Sequence, residues 1–406
     1  MLNPIESPFD AFYALVIFSL LIYILAALTN HFKIKIEHSL FLYSYHTLFC
    51  LVYVWYSIID VADASSYYRQ SLGETQQFTL GTPGIVFLTH LFSYYLQVSY
   101  LGTFLVFNIL GSIGFVAFFA SLRAITEGKS AFHRQLPWVI ILLPSVSFWS
   151  SAIGKDSLAF MAVGLTTWAC LDLRRRLWLM GLAVLVMLVA RPHIAGVMVI
   201  ALAASLALDR RYRFSTRIMA ALMSLPTAVI LVPLALNYSG LGTDFEVGNV
   251  IDYIEERQGH NLSETAGIEP RAMSLPMQFV SYLFRPFPWE ARSALQFAAS
   301  LENIVLLAIF LLAAGGALRH RSAGYGEARV FLLLYAVGCL VVLAPLTANL
   351  GIAVRQKWMF LPCLFVLALS VAGRRRLPVL RVAKSVLPTE QAAATAYRQN
   401  QRALRS

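Results

Sequence analysis

Asp60 and Asp63 stand three residues apart in the run IDVADASSYYR, directly after a long apolar stretch. A carboxylate at the rim of a membrane can act as a general base or hold a divalent cation, and the same acids also read as solvated loop residues. Tyr67 and Tyr68 could stack on sugar rings or belong to an interfacial aromatic belt, with Arg69 adding a cation beside them. The densest motif is LPSVSFWSSAIGKDS, residues 143–157. Pro144 and Gly154 punctuate it, and Trp149 offers a ring face. Ser151 through Asp156 could expose backbone N–H groups at a helix start, where the dipole favours an anion, and Lys155 would add a full charge. The alternative makes Asp156 or Ser157 the N-cap of an ordinary turn. The run NLGIAVRQKW, residues 349–358, carries Arg355 and Lys357, read either as an anion clamp or as a snorkelling pair at a helix start. Arg191 and His193 in ARPHI, and Arg285 in YLFRPF, complete the cations open to a negatively charged ligand.

These residues must be positioned by membrane helices. The chain of 406 residues is 58% hydrophobic and only 13% charged, with mean hydropathy +0.67. An ordinary soluble domain carries about a quarter charged residues, so the composition indicates an all-α, polytopic transmembrane bundle. Eleven spans fit, at about 11–30, 39–58, 98–122, 137–150, 157–172, 177–190, 194–209, 218–236, 297–318, 330–347 and 358–373. Basic clusters recur at Lys33/Lys35, Arg123–Arg134, Arg174–Arg176, Arg210–Arg217, Arg319–Arg329 and Arg374–Arg405. With the N-terminus outside and the C-terminus inside, every cluster is cytoplasmic, as insertion favours. That side then holds 23 of the 32 Lys and Arg but 6 of the 21 Asp and Glu. The candidate residues all fall on the other face. Residues 1–373 form the transmembrane domain, and 374–406 a basic cytoplasmic tail. The first apolar run lacks a small-residue cleavage site and is expected to be a retained helix.

Outer segments 59–97 and 237–296 are too long for turns, and each ends in an amphipathic, aromatic-rich part suited to a re-entrant or interfacial helix. The helices expected at 137–150 and 157–172 are short, as are those at 177–190 and 194–209. At 1.5 Å per residue, 14 to 16 residues reach about 21–24 Å against a hydrocarbon core of about 30 Å. Their tips would then lie below the outer surface, in a pocket lined by Lys155, Asp156, Arg191 and His193, unless the bilayer thins around them.

Several classes are disfavoured. The net charge of +11 follows from the cytoplasmic bias, so it does not argue for nucleic acid. Cys50, Cys170, Cys339 and Cys363 lie in apolar runs without metal-ligand spacing. Walker A, HExxH and GxSxG motifs are missing, and no span is expected to hold mid-helix charge pairs of the proton-relay kind.

The acidic first outer loop, the amphipathic segment behind it and the long later outer loop together resemble membrane glycosyltransferases of the GT-C type. The P-S-x-x-F-W-S-S…K-D and N-x-x-x-x-x-R-Q-K stretches are similar to those of bacterial exopolysaccharide and O-antigen assembly proteins, including Wzy- and EpsG-like polymerases. The resemblance implies a multi-pass protein of the bacterial plasma membrane. It implies a polyprenyl-phosphate- or pyrophosphate-linked sugar donor and a glycan or lipid-linked acceptor. By that likeness Asp60 or Asp63 activates the acceptor hydroxyl, while Lys155, Arg191, Arg285, Arg355 and Lys357 hold the lipid phosphate. The two acids are three apart where the likeness would have an adjacent pair, which leaves a divalent cation open. A transporter or flippase of a lipid-linked glycan or other anionic substrate is the alternative.

Overall fold

A computed structural model of the chain describes residues 3–60, 62–208, 273–319, 326–347 and 349–373, with a few positions between 213 and 222. Most of the span expected at 218–236, the first part of the outer segment 237–296 and the tail 374–406 lie outside the described residues.

The described residues are helical throughout, without strands. Helix α1 (Pro8–Phe32) starts at Ser7, whose Oγ accepts from the Asp10 N–H at 3.3 Å while the Asp10 carboxylate accepts from the Ser7 N–H at 2.8 Å. This reciprocal pair satisfies donors that the helix start leaves open. Next come α2 (Ile36–Ile59), the short α3 (Asp63–Ser71), and α4 (Thr82–His90), which a π turn extends to Tyr95. The first half ends with α5 (Tyr100–Thr126), α6 (Ala131–Ile141), α7 (Pro144–Ser150), α8 (Lys155–Cys170), α9 (Leu177–Ala190) and α10 (Pro192–Leu208). The second half contains α11 (Leu275–Phe284), α12 (Ala294–Arg319), α13 (Gly326–Leu346), α14 (Leu350–Gln356) and α15 (Leu361–Val371).

Among the described residues, α1, α2, α5, α12 and α13 are long and apolar enough to cross a membrane. A sixth span results if the pair on either side of Phe360, bent by 63°, counts as one. The stretch expected as one span at 137–150 is divided into α6 and α7. Proline disfavours helical backbone in the residue before it, and Leu143 is accordingly extended ahead of Pro144. Within the segment expected at 59–97, α4 and its π turn form a short helix packed on α3 and α9.

Helix α5 is the centre, enclosed by α1, α2, α8 and α15. Without a strong hydrophobic drive between helices in lipid, close approach depends on small residues. At the α5–α8 crossing, Gly114 meets Gly164 so tightly that a β-carbon on Gly164 would lie 2.1 Å from the Gly114 carbonyl oxygen. One turn earlier, a β-carbon on Gly111 would lie 2.0 Å from the Ser150 carbonyl oxygen. Gly164→Val must therefore part the two helices. Detergent-extracted Gly164→Val should elute as aggregate in size-exclusion chromatography, and a wild-type elution profile would refute this account of the crossing.

A second, aromatic core lies at one end of the bundle. Tyr53 of α2 packs on Phe148 of α7 at 4.6 Å between ring centroids, and Tyr68 of α3 meets Tyr100 of α5 at 4.9 Å. This cluster pins the short helices α3 and α7 against the long ones. At the opposite end of α5, Lys129 Nζ donates to the carbonyls of Leu369 and Ala372 at 2.5 and 2.6 Å, closing the C-terminus of α15.

Candidate functional site

Four charged side chains from four places in the sequence form one continuous chain beside the aromatic core. Asp63 opens α3, Asp156 lies in the first turn of α8, Arg191 joins α9 to α10, and Arg355 lies in the last turn of α14. Arg355 Nη1 donates to Asp63 Oδ2 at 2.5 Å, and its Nε donates to Asp156 Oδ2. The other Asp156 oxygen, Oδ1, accepts from Arg191 Nη2 at 2.8 Å. The side chains of Asp156 and Arg191 are each 11% exposed, whereas that of Asp63 is 52% exposed. The array is thus sealed at one end and open to solvent at the other, with two positive and two negative charges.

Local sequence explains its shape. Gly154 precedes α8 with φ 155° and ψ −174°, a conformation that is essentially restricted to glycine, and the position of its absent β-carbon faces the Tyr67 ring at 3.5 Å. That turn places Asp156 at the positive end of the α8 dipole, where a carboxylate is favoured. The anion expected at this helix start is therefore supplied by the chain itself. No side chain caps α8, so Asp156 is an ion-pair residue and not an N-cap. Trp149 lies under the Arg355 guanidinium, 5.4 Å from its Cζ to the ring centroid.

The other expected residues are distributed differently. Lys155 begins α8 beside Asp156, and His193 lies half-buried in the first turn of α10. Asp60 closes α2, its N–H bonded to the Tyr56 carbonyl at 2.9 Å. Tyr67 and Tyr68 do not offer stacking faces, because both are buried in the aromatic core, while Arg69 is exposed. Burial pushes the Tyr67 hydroxyl up to about 12, with Asp63 adding to the effect. Arg285 is held by Glu290 in the turn after α11, at 2.6 Å from its Nη2. Burial opposes ionisation of Glu290, but hydrogen bonds from Arg285 and the Phe287 N–H hold its carboxyl below the usual range. Of the six expected phosphate-binding residues, Arg191 and Arg355 converge on Asp156, while Arg285 is paired with Glu290 and Lys357 bonds Asn303.

Lys357 also departs from expectation. It is 2% exposed, with Nζ bonded to Asn303 Oδ1 and Glu302 of α12 within electrostatic range. It does not snorkel. Glu302 accepts from the Ser145 N–H at 2.7 Å and from Ser145 Oγ, which in turn accepts from Trp358 Nε1 at 2.9 Å. Glu302 is thus a buried acid within a membrane-length helix, with Lys357 in the turn before α15 inside its electrostatic range. The signal was present in AASLENIVLL, where an acid interrupts an apolar stretch.

Buried donors without a hydrogen-bond partner among the described residues include Arg191 Nε and the Tyr282 hydroxyl, as well as Ser147 Oγ and Trp168 Nε1. Arg191 and Tyr282 lie within electrostatic range of each other. Buried donors are nearly always satisfied, so such a pair marks a place where an acceptor fits. No group of three His, Cys, Asp or Glu side chains converges on a metal-sized space among the described residues. No family model, curated protein or solved structure matches the chain.

Proposed function

We propose that this chain is a multi-pass bacterial plasma-membrane glycosyltransferase or polysaccharide polymerase. It uses polyprenyl-phosphate- or pyrophosphate-linked sugars at the outer face, with the topology expected from the charge distribution. The observation that carries the reading is the Asp63–Arg355–Asp156–Arg191 array, a half-exposed carboxylate joined to arginines that are themselves largely buried. Glycosyl transfer from a lipid phosphate needs a base near the acceptor hydroxyl and cations where phosphate charge develops.

The array also couples those needs. At rest Arg355 occupies the Asp63 carboxylate. An incoming donor phosphate takes Arg355 Nη1 from Asp63, while Asp156 keeps Arg355 Nε in place. Asp63 then gives up its bond to Arg355 and is free to turn to the acceptor hydroxyl, so proton transfer from the acceptor follows donor binding. The orphaned Arg191 Nε–H and Tyr282 O–H supply further donors to phosphate or sugar oxygens.

The test is the glycan profile of a strain lacking the protein. Accumulated single repeat units indicate a polymerase, and truncated repeats a transferase. Lipid-linked units trapped on the cytoplasmic face indicate a flippase instead, and an unchanged profile removes the glycan reading altogether.

Topology has its own check. Ser66 is exposed on α3 and Glu127 is exposed just past α5, whose 27 residues separate them by about 40 Å. A membrane-impermeant maleimide should label Ser66→Cys in intact cells and spare Glu127→Cys. The reverse pattern would invert the assignment.

A further inference from the structure

A cavity of about 440 Å³ lies between α2, α7, α12 and α14. Its wall is almost entirely apolar, including Phe148, Trp149 and Val354. Two of its lining residues, Val52 and Leu295, are themselves 40% and 60% exposed, so its mouth lies on the apolar surface of two membrane-length helices. Among the described residues, its one Asp, Glu, Lys or Arg side chain is Glu302, 7% exposed. An apolar pocket of this size with a few convergent polar groups is the usual form of a small-molecule site.

We propose that this cavity binds a lipid alcohol drawn from the bilayer, its hydrocarbon body against α2 and α12 and its hydroxyl donating to Glu302. A carboxylate offers about four acceptor positions, and Ser145 occupies two of them through its N–H and Oγ. The rest can receive a donor. Glu302 repels a phosphate or carboxylate head. Lys357, within electrostatic range behind it, already balances its charge, so an ammonium gains little over a hydroxyl. The proposal stands apart from the transferase reading, since it concerns binding without turnover.

The test uses the full-length protein in phosphatidylcholine nanodiscs, photolabelled with diazirine-bearing hexadecanol, its methyl ether or the corresponding amine. Labelled peptides are then mapped by mass spectrometry. The alcohol should label the α2, α7 and α12 segments about tenfold more than the ether, which cannot donate the hydrogen bond. Ala299→Trp fills the cavity while leaving Glu302, Ser145 and Lys357 in place, and should reduce alcohol labelling to the ether's level. Glu302→Leu should do the same if it folds, and Ala299→Trp decides if it does not. Equal labelling by alcohol and ether, labelling that persists in Ala299→Trp, or stronger labelling by the amine would each overturn the proposal.

Discussion

Asp156→Ala should cost about 3–5 kcal/mol of stability, because it strips a buried arginine of the one carboxylate bonded to it. Arg191 has no other ion pair among the described residues, and its side chain is 11% exposed. Arg355 loses one of two partners and keeps Asp63. The burden therefore falls on Arg191. Removing both charges together is far milder than removing one, since burying an ion pair carries its own desolvation cost. Asp156→Leu combined with Arg191→Leu should thus recover more than half of the loss. Thermal unfolding in detergent micelles reads both effects without any activity assay. A wild-type melting curve for Asp156→Ala would show that the four-residue array does not hold the bundle together.

Asp63→Asn should behave in the opposite manner, folding normally while turnover falls about 10²–10⁴-fold, the usual worth of general-base catalysis. Its carboxylate lies at the exposed end, and Arg355 retains Asp156 when Asp63 is neutralised. Donor binding should survive because both arginines remain. Asp60→Asn should have a much smaller effect, since Asp60 closes α2 and its carboxylate is engaged by the Tyr56 side chain. Arg355→Lys should restore only part of the activity. One ammonium cannot reproduce the fork that reaches Asp63 through Nη1 and Asp156 through Nε. Steady-state transfer with a purified lipid-linked donor would measure these effects. Full turnover in both Asp63→Asn and Asp60→Asn would remove the carboxylate mechanism.

Sequence alone determined what depends on local chemistry. Low charge and long apolar runs dictate helices, because only helices satisfy a single segment's backbone in lipid. Pro144 and Gly154 mark the breaks on either side of α7, since one lacks an N–H and the other tolerates a backbone closed to other residues. Asp63, Asp156, Arg191 and Arg355 could also be singled out as candidates, the arginines as cations placed where insertion does not call for them. Their pairing could not. Asp156 meets Arg355 across 199 positions, and Arg355 meets Asp63 across 292. Those meetings depend on how α3, α8 and α14 pack together, a geometry that hydropathy does not encode. Tyr67, Tyr68 and Lys357 are likewise buried, where their types alone suggested an aqueous rim. Whether a charge serves as clamp, pair or core is decided by which helix lies opposite, and only the tertiary structure supplies that neighbour.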